Sequence, residues 1–305
     1  MRVLVLGGAG FIGAHVVEGL LSEGHFVRVL DRSAPVSNRS VEFIQIDFND
    51  VMTLSEALIG IDVVVHLVST SVPSTSNKDP VSDVNGNLIN TIKLLEVMRD
   101  SGVNKIIYFS SGGTVYGHPQ ISPMDELHPT DPVCSYGIVK LAIEKYLNMY
   151  SELYGFTSIV LRPSNPYGPG QRRMGVQGFI GTCINMALSD STLTIWGDGS
   201  VIRDYIHVND VVKATISALK LERSDIFNIS SGKGYSLNEI IEFVEKISNK
   251  KLDVIYKDKR DFDIPEMVLN NQKAEQILGW TPSIEIDAGI VDTVSNFVNQ
   301  STKQS

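Results

Sequence analysis

The fold of this protein is decided close to the start of the chain, where residues 7–13 read Gly7-Gly8-Ala9-Gly10-Phe11-Ile12-Gly13. An apolar run of strand length precedes this stretch at residues 3–6, and a helical pattern follows at Phe11–Ser22. Glycines between a strand and a helix let backbone N–H groups approach a pyrophosphate, whose charge the helix N-terminus favours. The stretch therefore predicts a dinucleotide site formed by Gly7, Gly10, Phe11, Ile12 and Gly13.

Outward from this turn, short apolar runs alternate with helical patterns through the first half of the chain. The runs are β-branched or aromatic and often apolar on consecutive positions, which is typical of parallel strands buried on both faces. The predicted strands are residues 3–6, 26–30, 43–46, 63–67, 106–109 and 158–161, and the predicted helices are 11–22, 53–58, 81–101 and 135–154. This alternation predicts an α/β fold with a doubly wound parallel sheet, the NAD-binding Rossmann fold.

The rhythm changes after residue 162, where Arg162-Pro163-Ser164-Asn165-Pro166-Tyr167-Gly168-Pro169-Gly170 is dense in turn formers. Beyond it, the patterns predict helices at 176–188, 208–221 and 236–247, strands at 227–229 and 252–256, and a loop at 196–199. We interpret residues 1–165 as the NAD-binding domain. Residues 166–305 form a smaller C-terminal α/β substrate lobe, partly interleaved with the first domain.

Composition limits the kinds of partner. The 305 residues are 43% hydrophobic, and the net charge of −9, without a Lys/Arg-rich run, argues against binding to nucleic acid or anionic membranes. The two cysteines, Cys134 and Cys183, have neither metal-ligand spacing nor a disulfide framework. No signal peptide precedes the first strand, and no apolar run approaches the ~20 residues that span a bilayer. We therefore expect a cytoplasmic protein without a metal ion.

Side chains at the ends of the predicted strands are candidate cofactor ligands. Asp31 ends the second strand about 20 residues beyond the glycines, where a carboxylate binds ribose hydroxyls and repels a 2′-phosphate. It favours NAD over NADP, a preference that Arg32 tempers. Asp47-Phe48 follows the third strand and either contacts the adenine or is a strand-end carboxylate beside a core aromatic. Leu67-Val68-Ser69 ends the fourth strand at the carboxyl edge, where ligands bind in such sheets.

A phenol and an ammonium lie four residues apart in Ser135-Tyr136-Gly137-Ile138-Val139-Lys140, within the helical pattern of residues 135–154. Residues at i and i+4 share a helix face. A tyrosine with its ordinary pKa of about 10 is a poor base, but a lysine cation beside it favours the phenolate. The phenolate can then take a proton from a sugar or alcohol hydroxyl. Together with the glycine turn, Tyr136 and Lys140 predict an oxidoreductase-type active site.

These motifs together resemble the extended short-chain dehydrogenase/reductase superfamily and, within it, the sugar-nucleotide epimerase/dehydratase family. The resemblance covers nearly the whole chain. It is carried by the glycine turn, Asp31, Asp47, Asn87 before Leu94-Leu95-Glu96, Ser110-Ser111-Gly112-Gly113-Thr114-Val115-Tyr116-Gly117, Tyr136 with Lys140, residues 162–170, Trp196-Gly197-Asp198-Gly199, Arg203-Asp204-Tyr205-Ile206-His207-Val208 and Leu278-Gly279-Trp280-Thr281-Pro282.

The resemblance implies roles for individual residues. Tyr136 would be the catalytic acid/base, and Lys140 would lower its pKa and bind the nicotinamide ribose. The further implied contacts are Asn87 to the cofactor, Asn165 and Arg203 to the substrate diphosphate, Arg260 and Asp263 to the phosphate and sugar nucleotide, and Thr194-Ile195-Trp196 to the nucleotide base. Trp196 could equally be a core residue.

One position departs from the family pattern. The family usually carries a serine or threonine five residues before the glycine that closes Val115-Tyr116-Gly117, and here that residue is Gly112. Ser111 and Thr114 are the candidates for the missing hydroxyl, with a slight preference for Thr114.

The activity that the resemblance implies is NAD-dependent C4 epimerisation of a UDP-hexose, of the UDP-glucose/UDP-galactose type or N-acetylated, through a transient 4-keto sugar. A 4-reductase of NDP-4-keto-6-deoxysugars would use the same Tyr/Lys pair. A 4,6-dehydratase fits less well, because Gly113 and Thr114 replace its Asp-Glu pair. A non-catalytic NAD(H)-binding module is the remaining alternative. The resemblance also implies a homodimer through the helices at 81–101 and 135–154.

Overall fold

The structure is a computed structural model and describes residues 1–34, 41–46, 48, 50–171, 178–259 and 264–302. The strands are β1 (Arg2–Leu6), β2 (Phe26–Asp31), β3 (Glu42–Gln45), β4 (Val63–His66), β5 (Lys105–Phe109), β6 (Thr157–Pro163), β7 (Asn165–Tyr167), β8 (Leu193–Trp196), β9 (Ile202–His207), β10 (Asp225–Ile229), β11 (Gly234–Ser236), β12 (Val254–Lys257) and β13 (Glu266–Met267). The helices are α1 (Phe11–Ser22), α2 (Val51–Ala57), α3 (Pro73–Ser76), α4 (Pro80–Asp83), α5 (Asn90–Asp100), α6 (Ser135–Tyr154), α7 (Phe179–Leu188), α8 (Val208–Ala218), α9 (Leu237–Ser248), α10 (Gln272–Leu278) and α11 (Ile286–Thr302). A π-helical turn, Val84–Ile89, joins α4 to α5.

Seven strands form a parallel sheet with the order β10-β6-β5-β4-β1-β2-β3; six of them come from residues 2–163, and β10 comes from the later part of the chain. The central strand β1 pairs in parallel with β2 on one side and β4 on the other, so that Val3 lies opposite both Val27 and Val63. These valines are buried, as expected for strands covered on both faces. The predicted doubly wound parallel sheet is confirmed.

Two hydrophobic layers cover the sheet. On one face α1 and α8 contribute Val16, Leu20 and Val211. These two helices lie close together, because a Cβ on Gly19 would come within 2.3 Å of Val212 Cγ1. On the other face α2, α5 and α6 contribute a second cluster that contains Leu54 and Leu94.

The second lobe has its own core. It contains a mixed sheet with the order β11-β9-β13, to which β7 adds by pairing with β9, and a two-stranded sheet of β8 and β12. Helices α7, α9 and α11 supply most of its buried side chains. Two elements from the later part of the chain return to the first lobe, however. Strand β10 pairs in parallel with β6 at the edge of the first sheet, and α8 packs on α1. Residues after 165 therefore contribute to the first sheet and its core as well as to the second lobe.

The structure corrects several predicted elements. The helix expected at 81–101 is broken into α4, the π-helical turn and α5. The short strands β7, β11 and β13 were not expected. Each of them pairs with β9, so they form only when the tertiary structure brings them to that strand. Within the described part of the chain, no helix is long and apolar enough to cross a membrane.

Candidate active site

The site lies where the strand order reverses, between the carboxyl ends of β1 and β4. Here the turn after β1 touches the segment after β4. Gly7 has a positive φ of 83°, and a Cβ there would come within 3.1 Å of the backbone nitrogen of Val68. Only glycine fits this close approach. Ligands bind at such a switch point in doubly wound sheets.

The glycine turn has the shape that a pyrophosphate requires. A Cβ on Gly13 would lie 2.1 Å from the carbonyl oxygen of Gly7, so this glycine lets α1 pack on the turn. A Cβ on Gly10 would meet only that same carbonyl, at 3.3 Å, among the described atoms, so Gly10 borders open space. The first turn of α1 is uncharged, and its N-cap Gly10 has no side chain to satisfy the helix N–H groups. These groups can therefore bind an anion, and the turn fits the diphosphate of NAD.

Asp31 is tied to the same turn. One carboxylate oxygen accepts a hydrogen bond from the Ala9 N–H at 2.9 Å, and the other accepts one from the Ser33 N–H at 3.2 Å. The side chain is partly exposed and keeps lone pairs for ribose hydroxyls. Its neighbour Arg32 is exposed.

Phe48 is a core aromatic. It is 6% exposed, and its ring lies 5.2 Å from the ring of His66 at the end of β4. Its packing in the second core cluster corresponds to the structural alternative for this residue. Asp47 lies outside the described residues.

Helix α6 brings the catalytic candidates to the sheet edge. Lys140 is 4% exposed, and its Nζ donates a hydrogen bond to the carbonyl of Phe109, the last residue of β5, at 2.8 Å. The same Nζ lies 5.6 Å from the centre of the Tyr136 ring. Leu67 and Val68 are partly exposed at the neighbouring strand end, and Ser69 is exposed. The structure therefore gathers Tyr136, Lys140 and the segment after β4 beside the glycine turn.

Burial shifts the pKa values of both members of the Tyr/Lys pair. Burial raises the pKa of Tyr136 to about 12, and a hydrogen bond from the Ser69 side chain opposes this rise only in part. Burial lowers the pKa of Lys140 to about 8, against the opposing charges of Asp83 and Glu144. Because the ammonium binds a backbone carbonyl and not the phenol, it does not make Tyr136 a phenolate in the protein alone. At neutral pH the pair consists of a phenol and an ammonium.

The loop that carries the candidate hydroxyls packs directly on the start of α6. A Cβ on Gly137 would come within 2.5 Å of the Thr114 carbonyl oxygen, so this glycine allows the contact. The hydroxyl oxygen of Thr114 is buried and has no hydrogen-bond partner among the described residues. Ser111 is partly exposed, and its carbonyl accepts from the Val115 N–H. Both hydroxyls lie on the loop beside the first turn of α6.

A buried polar network holds this loop in place. Arg162 on β6 forms an ion pair with Glu144 of α6 at 2.6 Å and donates to the Tyr116 hydroxyl at 2.8 Å. Ser110 donates to Glu144 at 2.5 Å, and Tyr116 donates to Asn228 of β10 at 2.6 Å. The network joins β5, α6, β6 and β10 underneath the site. Glu144 and Asn228 were missed by the sequence analysis, because no motif marks them.

Of the two predicted diphosphate ligands, Arg203 lies on β9 and Asn165 on its neighbour β7. The Asn165 side chain donates to the Asp204 carbonyl at 2.7 Å. Arg203 is partly buried, and its guanidinium donates to the carbonyls of Ile202 and Ile264, each at 2.8 Å. The two side chains are thus anchored to backbone at the junction of the lobes. Arg260 and Asp263 lie outside the described residues.

The predicted base-binding strand β8 alternates in exposure. Ile195 is buried in the core of the second lobe, whereas Thr194 and Trp196 are exposed. Lys257 on the neighbouring strand lies with its ammonium 5.3 Å from the centre of the Trp196 ring. Of this stretch, the side chains that can meet a ligand are therefore Thr194 and Trp196.

Asn87 has its side chain committed within the protein. Its oxygen accepts from the Thr70 N–H at 2.8 Å, and its nitrogen donates to the carboxylate of Asp83 at 2.8 Å. The sequence analysis passed over Asp83, which is 2% exposed and lies close to Tyr136 and Lys140. In the described part of the chain, no group of three or more His, Cys, Asp or Glu side chains could hold a metal ion.

Comparison with known proteins agrees with this geometry. The sequence model of the NAD dependent epimerase/dehydratase family matches residues 3–230. Over 313 residues, the chain is 35% identical to a UDP-glucose 4-epimerase of Mycolicibacterium smegmatis, covering 99% of this chain and 100% of the relative. It is 33% identical over 300 residues to a dTDP-4-dehydro-6-deoxyglucose reductase of Escherichia coli, covering 94% of this chain and 95% of the relative.

Solved structures are equally similar. The UDP-glucose 4-epimerase of Thermotoga maritima, crystallised with UDP-glucose, superposes with a TM-score of 0.95 at 33% identity, covering 99% of this chain and 100% of that one. The Thermus thermophilus UDP-glucose 4-epimerase in complex with NAD gives 0.91 at 34% identity, covering 98% and 99%. The doubly wound sheet, the glycine turn and the Tyr/Lys pair define a nucleotide-dependent enzyme of the Rossmann class. Within that class, this chain belongs to the NAD dependent epimerase/dehydratase family.

Proposed function

We propose that this protein is an NAD-dependent C4 epimerase of a UDP-hexose. The observation that carries the proposal is Lys140, a buried ammonium held at the end of β5 beneath the ring of Tyr136. A buried cation paired with a phenol at a dinucleotide site suits proton exchange with a sugar hydroxyl. The similarity to UDP-glucose 4-epimerases along nearly the whole chain supports the same assignment.

The cofactor site is formed by the glycine turn and Asp31. When bound there, NAD would supply the hydride acceptor and donor that inversion at C4 of the sugar needs. The first turn of α1 binds the cofactor diphosphate, and Asp31 binds the adenosine ribose. The remaining chemistry belongs to the side chains of the protein.

Tyr136 takes the proton of the C4 hydroxyl and later gives it back. Because the phenol alone has a pKa of about 12, ligand binding must stabilise its deprotonated form. Lys140 can contribute, since its ammonium has three donors and only one is directed to the Phe109 carbonyl. Thr114 supplies the hydroxyl that binds the sugar oxygen, since its own oxygen is buried without a described partner.

On the substrate side, we assign the diphosphate to Asn165 and Arg203 and the base to Thr194 and Trp196. Epimerisation requires a firmly held nucleotide and a sugar that can rotate about its diphosphate link. The many nucleotide contacts and few sugar-specific side chains fit this requirement.

A direct assay tests the function. The purified protein is incubated with UDP-galactose without added cofactor, and then with a panel of UDP-sugars that includes N-acetylated ones. We expect UDP-glucose, or another C4-inverted product, to form. If none of the UDP-sugars is inverted, the assignment as an epimerase fails.

The second candidate function is 4-reduction of an NDP-4-keto-6-deoxysugar. It is favoured by the 33% identity to the E. coli reductase and by the shared need for a Tyr/Lys pair. Denaturing the pure protein and measuring the released dinucleotide distinguishes the two. Near-stoichiometric NAD indicates an epimerase that regenerates its cofactor, whereas an empty site indicates a reductase that exchanges it.

We further propose a homodimer formed through the outer faces of α4, the π-helical turn and α6. Exposed apolar side chains on these elements include Val81 (70% exposed), Ile89 (39%), Ile138 (55%) and Leu153 (64%). Apolar surface of this kind marks a protein interface. A reducing cytoplasm is the location that we propose, since Cys134 and Cys183 are both free thiols.

A further inference from the structure

The start of α6 is held by residues from outside the helix. Its N-cap Cys134 makes no side-chain capping hydrogen bond in the described structure. Instead the Ser135 N–H donates to the Asn77 side chain at 2.8 Å, and the Tyr136 N–H donates to the Ser76 hydroxyl at 3.1 Å. The helix turn that carries the catalytic tyrosine therefore depends on the segment after β4 for its caps.

Asp83 connects these two segments. One carboxylate oxygen accepts from the Ser71 hydroxyl at 2.6 Å and from Asn87 at 2.8 Å. The other accepts from the Ser135 hydroxyl at 2.7 Å. Asp83 thus binds the segment after β4 with one oxygen and the first turn of α6 with the other.

The surrounding backbone is built to hold this carboxylate. Asp83 is the last residue of α4 and leads into the π-helical turn, a rare conformation that is frequent at functional sites. Asn87 lies four residues further on and also binds the Asp83 carbonyl, at 3.1 Å. Among the described residues, no cation forms an ion pair with Asp83, so its charge is compensated by hydroxyl and amide donors. A buried carboxylate is costly without such donors, so the four side chains depend on one another.

Building on the proposed function, we propose that Asp83 is the positioning residue of the catalytic tyrosine. By accepting hydrogen bonds from Ser71 and Ser135 on its two oxygens, it fixes the first turn of α6, and with it Tyr136, against the segment after β4. It acts through these serines and touches neither substrate nor cofactor.

The charge of Asp83 has a second effect, on Lys140. Burial lowers the pKa of Lys140, and Asp83 is the first of the charges that raise it again. The groups that face Lys140 from the elements packed around it are Asp83, Glu144 of α6, His66 of β4, Tyr108 of β5 and Tyr136. Of these, Asp83 and Glu144 are the acidic groups, so removal of one charge makes the ammonium easier to deprotonate.

Three variants distinguish the hydrogen bonds that Asp83 accepts from the effect of its charge. Asp83→Ala removes both, Ser135→Ala removes only the hydrogen bond to α6, and Asp83→Asn removes the charge. The Asn variant keeps the size of the side chain and one acceptor oxygen, while its amide nitrogen replaces the other acceptor with a donor, which the Ser135 hydroxyl can accept from. The matched control is Asp79→Asn, because Asp79 is an exposed carboxylate on the same helix whose bonds stay within α4.

We expect Asp83→Ala to lower kcat about 100-fold, as for a reacting group displaced by about 1 Å, with the KM for the UDP-sugar unchanged. Ser135→Ala lowers kcat in the same direction by less, and the two substitutions are not additive because they break one contact chain. Asp83→Asn shifts the alkaline limb of the kcat/KM profile to lower pH. Asp79→Asn behaves as wild type.

A second measurement does not depend on activity. Hydrogen exchange of the Ser135 and Tyr136 amides should be faster in Asp83→Ala and Ser135→Ala than in wild type and in Asp79→Asn. If Asp83→Ala does not fold, Ser135→Ala carries the same comparison. Wild-type kcat, pH profile and exchange in these variants would overturn the positioning role while leaving the epimerase assignment intact. If the amides exchange faster in the variants but the wild-type protein has no epimerase activity, the positioning role stands and the epimerase assignment fails.

Discussion

At position 112 the chain has a closely packed glycine in place of the serine or threonine that the family usually carries. A Cβ there would come within 2.3 Å of Leu269 Cδ1 and 3.0 Å of the Arg162 carbonyl oxygen, so a side chain would displace the leucine. The contrast with Gly113 is informative, since a Cβ on Gly113 would meet no described atom within 4 Å. A side chain at position 112 would therefore clash with its neighbours, whereas position 113 has room for one.

Thr114 should supply the hydroxyl that Gly112 lacks. We expect Thr114→Val to lower kcat about 100-fold, the usual cost of removing one donor to the reacting oxygen, while Ser111→Ala keeps most of the activity. Steady-state kinetics with the UDP-sugar substrate check this ranking. The reverse order would assign the hydroxyl to Ser111.

Tyr136→Phe should remove the acid/base group without disturbing the binding of ligands. We expect kcat to fall by about 10²–10⁴-fold, the contribution of a positioned acid/base, and the bound NAD to remain. Tyr154→Phe is the matched control, because Tyr154 is exposed at the other end of the same helix. Normal turnover by the Tyr136→Phe variant would take the role away from this residue.

His66 should make the protein sensitive to acid. Burial, and next the charge of Lys140, lowers the pKa of His66 to about 3. Between pH 6.5 and about 3 the unfolded chain therefore binds a proton that the folded protein does not, and stability falls by about 1.4 kcal/mol per pH unit. The contribution of neutral His66 to the free energy of unfolding is fully present above pH 6.5 and is lost as the pH falls toward about 3.

The variant His66→Gln removes this titration while its amide can still bind Thr91, the partner of the His66 Nε2 at 2.9 Å. Urea unfolding at pH 7, 6 and 5 should show a shallower loss of stability below pH 6.5 in the variant than in wild type. Equal slopes would mean that His66 is protonated in the folded protein.

At the scale of elements, the Arg162–Glu144 pair joins β6 to α6 in a place where water does not reach. Both side chains are at most 4% exposed, and Glu144 accepts from Arg162 through both of its oxygens. Removal of the cation leaves a buried carboxylate without its partner, which is far more costly than the loss of a surface pair.

Arg162→Met should therefore destabilise the protein by about 3–5 kcal/mol, measured by urea unfolding. Lys250→Met is the control, because Lys250 pairs with Asp190 at the surface, and it should leave the midpoint nearly unchanged. Similar midpoints for the two variants would show that the buried pair contributes little.

The elements that the sequence predicted well are those with a strong local signal. The glycine turn, the apolar strands and the long helix α6 follow from patterns within about 20 residues. The break in the helix at 81–101 could not be predicted, because Asp83 and Asn87 look like ordinary helix-surface residues and their partners Thr70, Ser71 and Ser135 come from distant segments. The same reason explains why Asp83 and Glu144 were missed in the site and why the effect of burial on the pKa of Tyr136 was not expected. Burial and tertiary partners decide these properties.

For the whole molecule, the large parallel sheet was predictable from the β-α rhythm, but the origin of its edge strand was not. A strand at 227–229 was expected, yet no local pattern tells that β10 pairs with β6 in the other lobe. Order in a sheet is set by long-range packing.

The proposed homodimer can be tested on the intact protein. Ile138→Glu places a charge on the outer face of α6, and we expect the variant to be monomeric by light scattering while the wild type is dimeric. Ile59→Glu is the control, because Ile59 is 69% exposed after α2, away from the proposed interface. A monomeric wild type would contradict the dimer.

The position of β10 also constrains how the protein is made. On the ribosome, β6 emerges more than sixty residues ahead of its outer neighbour, so its edge stays unpaired while the intervening chain is synthesised. Asn228, which completes the network beneath the catalytic loop, arrives at the same late moment. A nascent chain released before that point would carry the glycine turn and the Tyr/Lys pair and still lack the Asn228 contact beneath its catalytic loop.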